Sequence, residues 1–343
     1  MVHRPLRLRL DSAVLVANWR WLKSQGGSAA CGAAVKADGY GLGAREVVER
    51  LAEAGCRDFF VSTWAEAEAL MPRPADISLS VLHGVSEADI PTARALTARP
   101  VLNTAEQVAR WRGQGPCDVM IDTGINRLGL TPEEATSGLL DGLIIETLMS
   151  HLASADEDRD SNAAQRAALA KVAQRVPAKR LSLANSAGVC LGRDYAFDLT
   201  RPGLALYGGI PRPEAEGHIL QVVRVEAQIV QRRQVAAGDS VGYNATFTAQ
   251  RAQELAILNI GYADGYLRGF SGTGRARVGD SLVPVVGRVS MDLTAICVDL
   301  AAELAEGDWV EVDYSLPEAS AQAGLSQYEL LTTLGSRFEH VWT

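Results

Sequence analysis

The stretch Ala33-Ala34-Val35-Lys36-Ala37-Asp38-Gly39-Tyr40-Gly41-Leu42-Gly43 leads from small apolar residues into a single lysine, then into a loop with glycine at every second position. An apolar run without polar alternation reads as a strand buried on both faces, as in a parallel sheet covered by helices. The glycines mark backbone that turns tightly or lies close against a neighbour. Lys36 therefore stands where a packed strand opens into a loop. Two readings of it are open. Burial disfavours the ammonium and leaves a neutral amine able to attack a carbonyl. Alternatively, the long stem carries the charge past the strand end to water.

Outward from that strand, apolar runs alternate with helical periodicity. Strands are expected at 29–35, 59–62, 78–82, 100–102, 118–121, 143–149, 180–183 and 197–199, with helices between them at 44–54, 65–70, 105–111 and 163–175. About eight such units in some 200 residues point to a closed parallel (β/α)8 barrel. The rival is an open doubly wound sheet, but its dinucleotide fingerprint spaces glycines differently from Gly39, Gly41 and Gly43. The barrel is the expected fold. Residues 6–10 alternate like a short strand, and Asp11 is a natural N-cap for a helix reaching about Lys23. Past Gly217 the segments become short, branched and alternating, at 218–232, 254–259, 276–278, 282–288, 295–298 and 309–312. Turn pairs such as Asp264-Gly265 separate them, and no long helix is expected before 326–334. This reads as a mostly β second domain. The expected organisation is a barrel over 11–217 and a β domain over 218–343, with residues 1–10 adding a strand to the latter.

A chain of 343 residues is long enough for two such cores, and 47% hydrophobic with 22% charged residues is ordinary for a globular protein. A net charge of −8 argues against a nucleic-acid or anionic-membrane partner. No apolar run is long enough to span a bilayer, and the first ten residues lack the pattern of a signal peptide. Cys31, Cys56, Cys117, Cys190 and Cys297 form no CxxC pair, and the five histidines no HExxH. That usage fits a reducing, cytoplasmic setting and gives no metal site.

Function in a (β/α)8 barrel collects at the C-terminal ends of the strands. Lys36 lies at the first of these ends, the segment Asp122–Gly129 follows the fifth, His151 the sixth, Asn185-Ser186-Ala187 the seventh and Arg201-Pro202-Gly203 the eighth. Each has a plain structural reading: turn former or helix cap for Asp122 and Asn185, core histidine for His151, surface charge for Arg201. Together they converge on one rim. The loops after strands seven and eight are the usual phosphate cradle of such barrels, and Ser186 and Gly203 suit it, with Tyr40 opposite. A lysine aimed at a phosphate-bearing carbonyl compound points to pyridoxal phosphate in Schiff-base linkage, with Arg201 at the ring nitrogen.

Residues 34–43 resemble the cofactor-lysine motif of the alanine racemases. Six further stretches match that family in order: 121–129, 184–187, 201–208, 241–247, 260–266 and 286–292. The resemblance implies a fold-type III barrel and β domain paired head to tail in a homodimer, with L- and D-alanine interconverted to supply D-alanine for peptidoglycan. It places Lys36, Tyr40, His151, Asn185, Ser186, Arg201, Gly203, Leu204 and Tyr262 around the cofactor, and Arg127, Met291 and Asp292 around the substrate. Lys36 and Tyr243 become the two bases, Tyr243 entering from the other subunit. Racemisation needs a base on each face of the α-carbon, since a single base mostly restores the starting isomer. A tyrosine serves where nearby positive charge lowers its pKa from about 10. An arginine at the ring nitrogen keeps that nitrogen unprotonated and restrains side reactions such as transamination.

Three positions depart from the commonest pattern of the family. Met120 stands where many relatives carry a carbamylated lysine that props the carboxylate-binding arginine, Ser182 where many have a histidine, and Ser336 where some have a tyrosine. A racemase preferring serine or acting broadly, and a PLP-binding protein without turnover, are the alternative readings. Tyr243 and the β domain count against the second.

Overall fold

The computed structural model describes residues 3–299 and 303–343. It divides into two compact units, one formed by Leu15–Leu220 and the other by the residues before and after it.

The first unit is the expected barrel. After β1 (Leu6–Leu10) and α1 (Ser12–Gln25), its first strand appears as two halves, β2 (Ala30–Cys31) and β3 (Ala33–Ala34), broken at Gly32. A Cβ at Gly32 would lie 2.7 Å from the Asp58 carbonyl oxygen, so only glycine permits that approach. The remaining strands are β4 (Asp58–Val61), β5 (Ser78–Val81), β6 (Arg99–Leu102), β7 (Pro116–Met120), β8 (Ile144–Met149), β9 (Arg180–Ser182) and β10 (Leu199–Thr200). Each pairs in parallel with the next, and β10 pairs back on β2 while β3 pairs with β4, which closes the ring. Eight strands result, each within two or three residues of its expected bounds.

Between them run α2 (Lys36–Tyr40), α3 (Ala44–Glu53), α4 (Trp64–Ala69), α5 (Ile90–Leu96), α6 (Ala105–Trp111), α7 (Pro132–Ala135), α8 (Asp160–Ala173) and α9 (Ser186–Cys190). α3 buries Val47, Val48, Leu51 and Ala52, one stripe at helical spacing. Thr63 and Glu66 form a capping box on α4, and Thr104 and Asn185 cap α6 and α9. Two buried carboxylates of the barrel wall are paired: Arg180 holds Asp58 at 2.7 and 3.0 Å, and fully buried Asp118 accepts from Ser80 Oγ at 2.6 Å and Arg99 Nε at 3.3 Å. Removing one partner of such a pair leaves a buried charge uncompensated, at a cost of about 3–5 kcal/mol.

The second unit is a mostly antiparallel sheet. Its strands are β1, β11 (Val223–Val235), β14 (Gln253–Leu258), β15 (Arg275–Val278), β16 (Ser281–Val286), β17 (Thr294–Cys297), β18 (Trp309–Val312) and β19 (Glu339–Trp342). A small hairpin, β12 (Ser240–Val241) with β13 (Phe247–Thr248), packs Val241 and Phe247 against Val235, Leu255 and Val286 of that sheet. β1 lies between β11 and β19. β11 pairs with β1 and β18 along its first half and with β14 along its second, its register shifting between Ile229 and Gln231. Two expectations need correcting. The strand expected from 218 begins at Val223, because the N–H groups of His218 and Ile219 turn back to the Ala215 carbonyl. A helix, α10 (Leu316–Ala323) with proline in its first turn, precedes the expected α11 (Gln327–Thr332). Among the described residues no helix is long and apolar enough to cross a membrane.

Candidate active site

Lys36 follows β3 directly, and the chain behind it winds left-handed: Ala37, Asp38, Gly39 and Tyr40 have φ of 52°, 50°, 64° and 58°. Left-handed backbone costs a non-glycine residue roughly 1–2 kcal/mol, so three of these four positions are strained. The turn is held from outside. Glu66 accepts from Ala37 N–H at 2.8 Å, and Asp38 accepts from Ala44 N–H at 2.8 Å at the start of α3. Burial and the positive charge of Arg127 push the Lys36 amine below the ordinary lysine value of 10.5, and the Glu66 carboxylate pulls it part of the way back.

The turn carries Tyr40 inward, where its ring stacks on Tyr207 with centroids 4.7 Å apart. Tyr207 donates its hydroxyl to the Ala34 carbonyl at 2.9 Å. Gly203 faces Tyr40 so closely that a Cβ would come within 2.2 Å of the Tyr40 hydroxyl. Buried Ser186, first residue of α9, accepts through Oγ from the N–H groups of Gly203 at 3.0 Å and Ala205 at 3.1 Å. Its hydroxyl proton is left to donate to an anion. Leu204 is buried beside Gly203. Asn185 acts as the cap of α9, accepting from Gly188 N–H at 2.8 Å.

Arg201 is buried with its guanidinium on Ser182 Oγ and, at 2.7 Å, on the Ser150 carbonyl. Its carbon lies 5.9 Å from the centre of the Phe60 ring. Among the described residues no carboxylate pairs with it, and burial pushes its pKa down to about 10 against the opposing pull of Asp118. Ser182 passes the contact on, donating to the Leu199 carbonyl at 2.5 Å. His151 feels burial and the charges of Arg201, Arg127 and Lys36, which together push it down to about 3. It is neutral at physiological pH, and those couplings gather all four side chains in one region.

Arg127 is exposed, and among the described residues its guanidinium makes no hydrogen bond or ion pair. Its loop is fixed through the backbone. The Asp122 carboxylate accepts from Gly124, Ile125, Asn126 and Arg127 N–H at 2.8 to 3.1 Å. Met120 is buried against Gly129 and offers no polar group to the arginine.

Tyr243, Tyr262, Met291 and Asp292 belong to the other unit. Tyr243 is 65% exposed and Met291 53%. Tyr243 rims a depression of about 490 Å³ that Val235, Leu255, Ile257, Arg233 and Arg288 also line. Tyr262 N–H bonds to the Ser290 carbonyl at 3.0 Å, and Arg268 lies over its ring. Asp292 is engaged by Arg337 at 2.8 Å, and the same arginine holds Asp264 at 2.6 and 2.8 Å. Ser336 is exposed. Glu66 and Gln165 take part in the site region without having been singled out. Only Glu66 carried a local signal, the Thr63-x-x-Glu66 capping pattern.

An amine pushed toward its neutral form at a barrel rim, with a serine–glycine cradle and a buried guanidinium on the loops of the same barrel, defines a (β/α)8 enzyme built around lysine chemistry. The chain belongs to the alanine racemase family: the family's N-terminal domain matches residues 10–211 and its C-terminal domain residues 222–342. An alanine racemase of Methylobacterium nodulans is 43% identical over 97% of this chain and 95% of its own length. A catabolic alanine racemase of Agrobacterium fabrum is 41% identical over 96% and 90%. The crystal structure of alanine racemase from Bartonella henselae with covalently bound pyridoxal phosphate superposes with a TM-score of 0.91 at 33% identity, covering 99% of this chain and all of that one.

Proposed function

We propose that the protein is a pyridoxal-phosphate-dependent racemase interconverting L- and D-alanine by proton transfer on both faces of the α-carbon, supplying D-alanine for peptidoglycan. The observation that carries this is Lys36, an amine pushed toward its neutral form at the rim of a family-matched barrel. The donor set fits the cofactor. Ser186 and Tyr40 hydroxyls and the bare backbone of Gly203 would hold its phosphate, and Arg201 would meet its ring nitrogen. When bound, the cofactor supplies an aldehyde that condenses with amines and a ring that draws electrons from the α-carbon.

Lys36 Nζ takes or returns the proton on the D-face, and its lowered pKa raises the share present as free base. Tyr243 of the partner subunit does the same on the L-face from the β domain. Arg127 orients the substrate carboxylate, with Met291 and Asp292 lining the pocket. Arg201 remains a cation at neutral pH even with its pKa at about 10. Neutral His151 adds no charge beside Arg201 and Arg127. The working unit is then a cytoplasmic homodimer, each chain giving a barrel over 11–217 and a β domain over 218–343.

The test begins with the purified protein. It should show a visible absorption band that borohydride removes, and it should drive either alanine isomer to the racemate, with serine assayed in parallel. Absence of the band, or unchanged optical rotation with every small amino acid, sinks the reading.

A further inference from the structure

Gln165 lies on α8, is 3% exposed, and reaches neither Lys36 nor the phosphate cradle. Its amide is nonetheless committed on both sides. Nε2 donates to Thr123 Oγ1 at 3.2 Å and to the His151 carbonyl at 3.0 Å, while Oε1 accepts from Ala153 N–H at 2.9 Å. A flipped amide would set oxygen against the His151 carbonyl and N–H against N–H at Ala153, so the backbone fixes its orientation. Thr123 belongs to the loop after β7 that carries Arg127; His151 and Ala153 belong to the loop after β8. Thr123 Oγ1 also meets Ser150 Oγ at 2.7 Å, and Ser150 offers its carbonyl to Arg201 at 2.7 Å. At Gly124 the first loop packs against the Gln165 stem, its Cβ position 3.7 Å from Cγ.

We propose that Gln165 is a positioning residue that ties the Arg127 loop to the His151 loop, so that substrate carboxylate recognition and the Arg201 region are set as one unit. This rests on the racemase reading for the roles of Arg127 and His151. The tether itself does not. Asp122 shapes the Arg127 loop from within through its four amides, whereas Thr123 is where that loop is bonded to the next. Loss of the Gln165 amide leaves the loop its internal shape and removes its fixed placement, and small misplacements of an orienting group cost disproportionately.

The variants are Gln165→Ala, Gln165→Glu, Thr123→Val and Thr123→Ser in the holoenzyme. Gln165→Glu keeps the shape and turns an oxygen toward the His151 carbonyl, which secures the test if the alanine variant fails to fold. The first three should raise KM for L-alanine about tenfold with kcat down less than threefold, since binding orientation is what is lost. Thr123→Ser retains the hydroxyl and should stay near wild type. Hydrogen exchange gives a readout without turnover: amides 122–128 should exchange faster in the first three variants and not in Thr123→Ser. Unchanged exchange in 122–128, or acceleration spread evenly over the barrel, overturns the proposal, as does a fall in kcat with KM unmoved. If the wild-type protein does not racemise alanine, the reading of function falls while the exchange arm still decides the tether.

Discussion

The lowered pKa of Lys36 depends on neighbours supplied by different loops, which makes the tuning separable by mutation. Arg127 disfavours the ammonium and Glu66 favours it, both against a background of burial. Removing the positive neighbour, as in Arg127→Met, returns the amine toward its ordinary value. The limb of the kcat–pH profile that reports Lys36 as base in the D-to-L direction should therefore move to higher pH. Glu66→Gln removes a negative neighbour and should move it to lower pH; titration of kcat at saturating D-alanine reads both. Shifts in one common direction would show that the lysine is not the titrating base. Gly203 makes a separate case. Its Cβ position coincides with the Tyr40 hydroxyl at 2.2 Å, so Gly203→Ala must displace the tyrosine or the loop. Fluorescence titration of apoprotein with pyridoxal phosphate should show affinity falling tenfold or more, and undiminished affinity would remove both residues from the cradle. Lys36, Arg201, Ser186 and Gly203 stood out in the sequence because residue type and place at strand ends agree. Gln165 did not, because its partners are backbone groups and a side chain brought close only by barrel closure.

At the scale of the element, the turn Lys36–Tyr40 spends conformational energy where the chemistry sits. Ala37 holds φ 52° and ψ 48° with its N–H on Glu66. Replacing it by glycine relieves a left-handed cost of roughly 1–2 kcal/mol and adds an unfolded-state entropy penalty of roughly 0.5–1 kcal/mol. Ala37→Gly should thus be neutral to about 1.5 kcal/mol stabilising, read as a Tm equal to or a few degrees above wild type. A clear destabilisation would mean that the methyl group packs usefully in that turn. The glycine spacing announced a tight turn, but nothing in Ala37-Asp38 announced its hand: neither residue prefers that region strongly, and the capping bonds that impose it come from α3 and α4. The barrel strands were legible for the opposite reason. Burial on both faces demands continuous apolar runs, and eight such runs leave few arrangements. The hairpin β12–β13 escaped notice because two-residue strands carry no period, and α10 because it is only eight residues long, although Ser315 and Pro317 are ordinary helix-start residues.

At the scale of the molecule, the proposed chemistry is divided between two units: the barrel holds the amine, the cradle and the guanidinium, and the β unit holds Tyr243 and Leu293, both exposed, on one depression. Exposed apolar side chains around a concave surface mark a face built to be covered. If a second copy covers it, each active site takes Lys36 from one protomer and Tyr243 from the other, and the two can be inactivated on separate chains. Lys36→Ala and Tyr243→Phe homodimers should each lose racemisation. Unfolding and refolding an equal mixture randomises subunits, so half of the dimers are hybrids. Each hybrid has one site with both native bases and one with neither, so a symmetric dimer should recover about a quarter of wild-type activity. Two bases contributed by the same chain would instead give no recovery at any mixing ratio. Recovery that disappears on dilution and returns on concentration would tie the activity to association, making the interface a part of the catalyst.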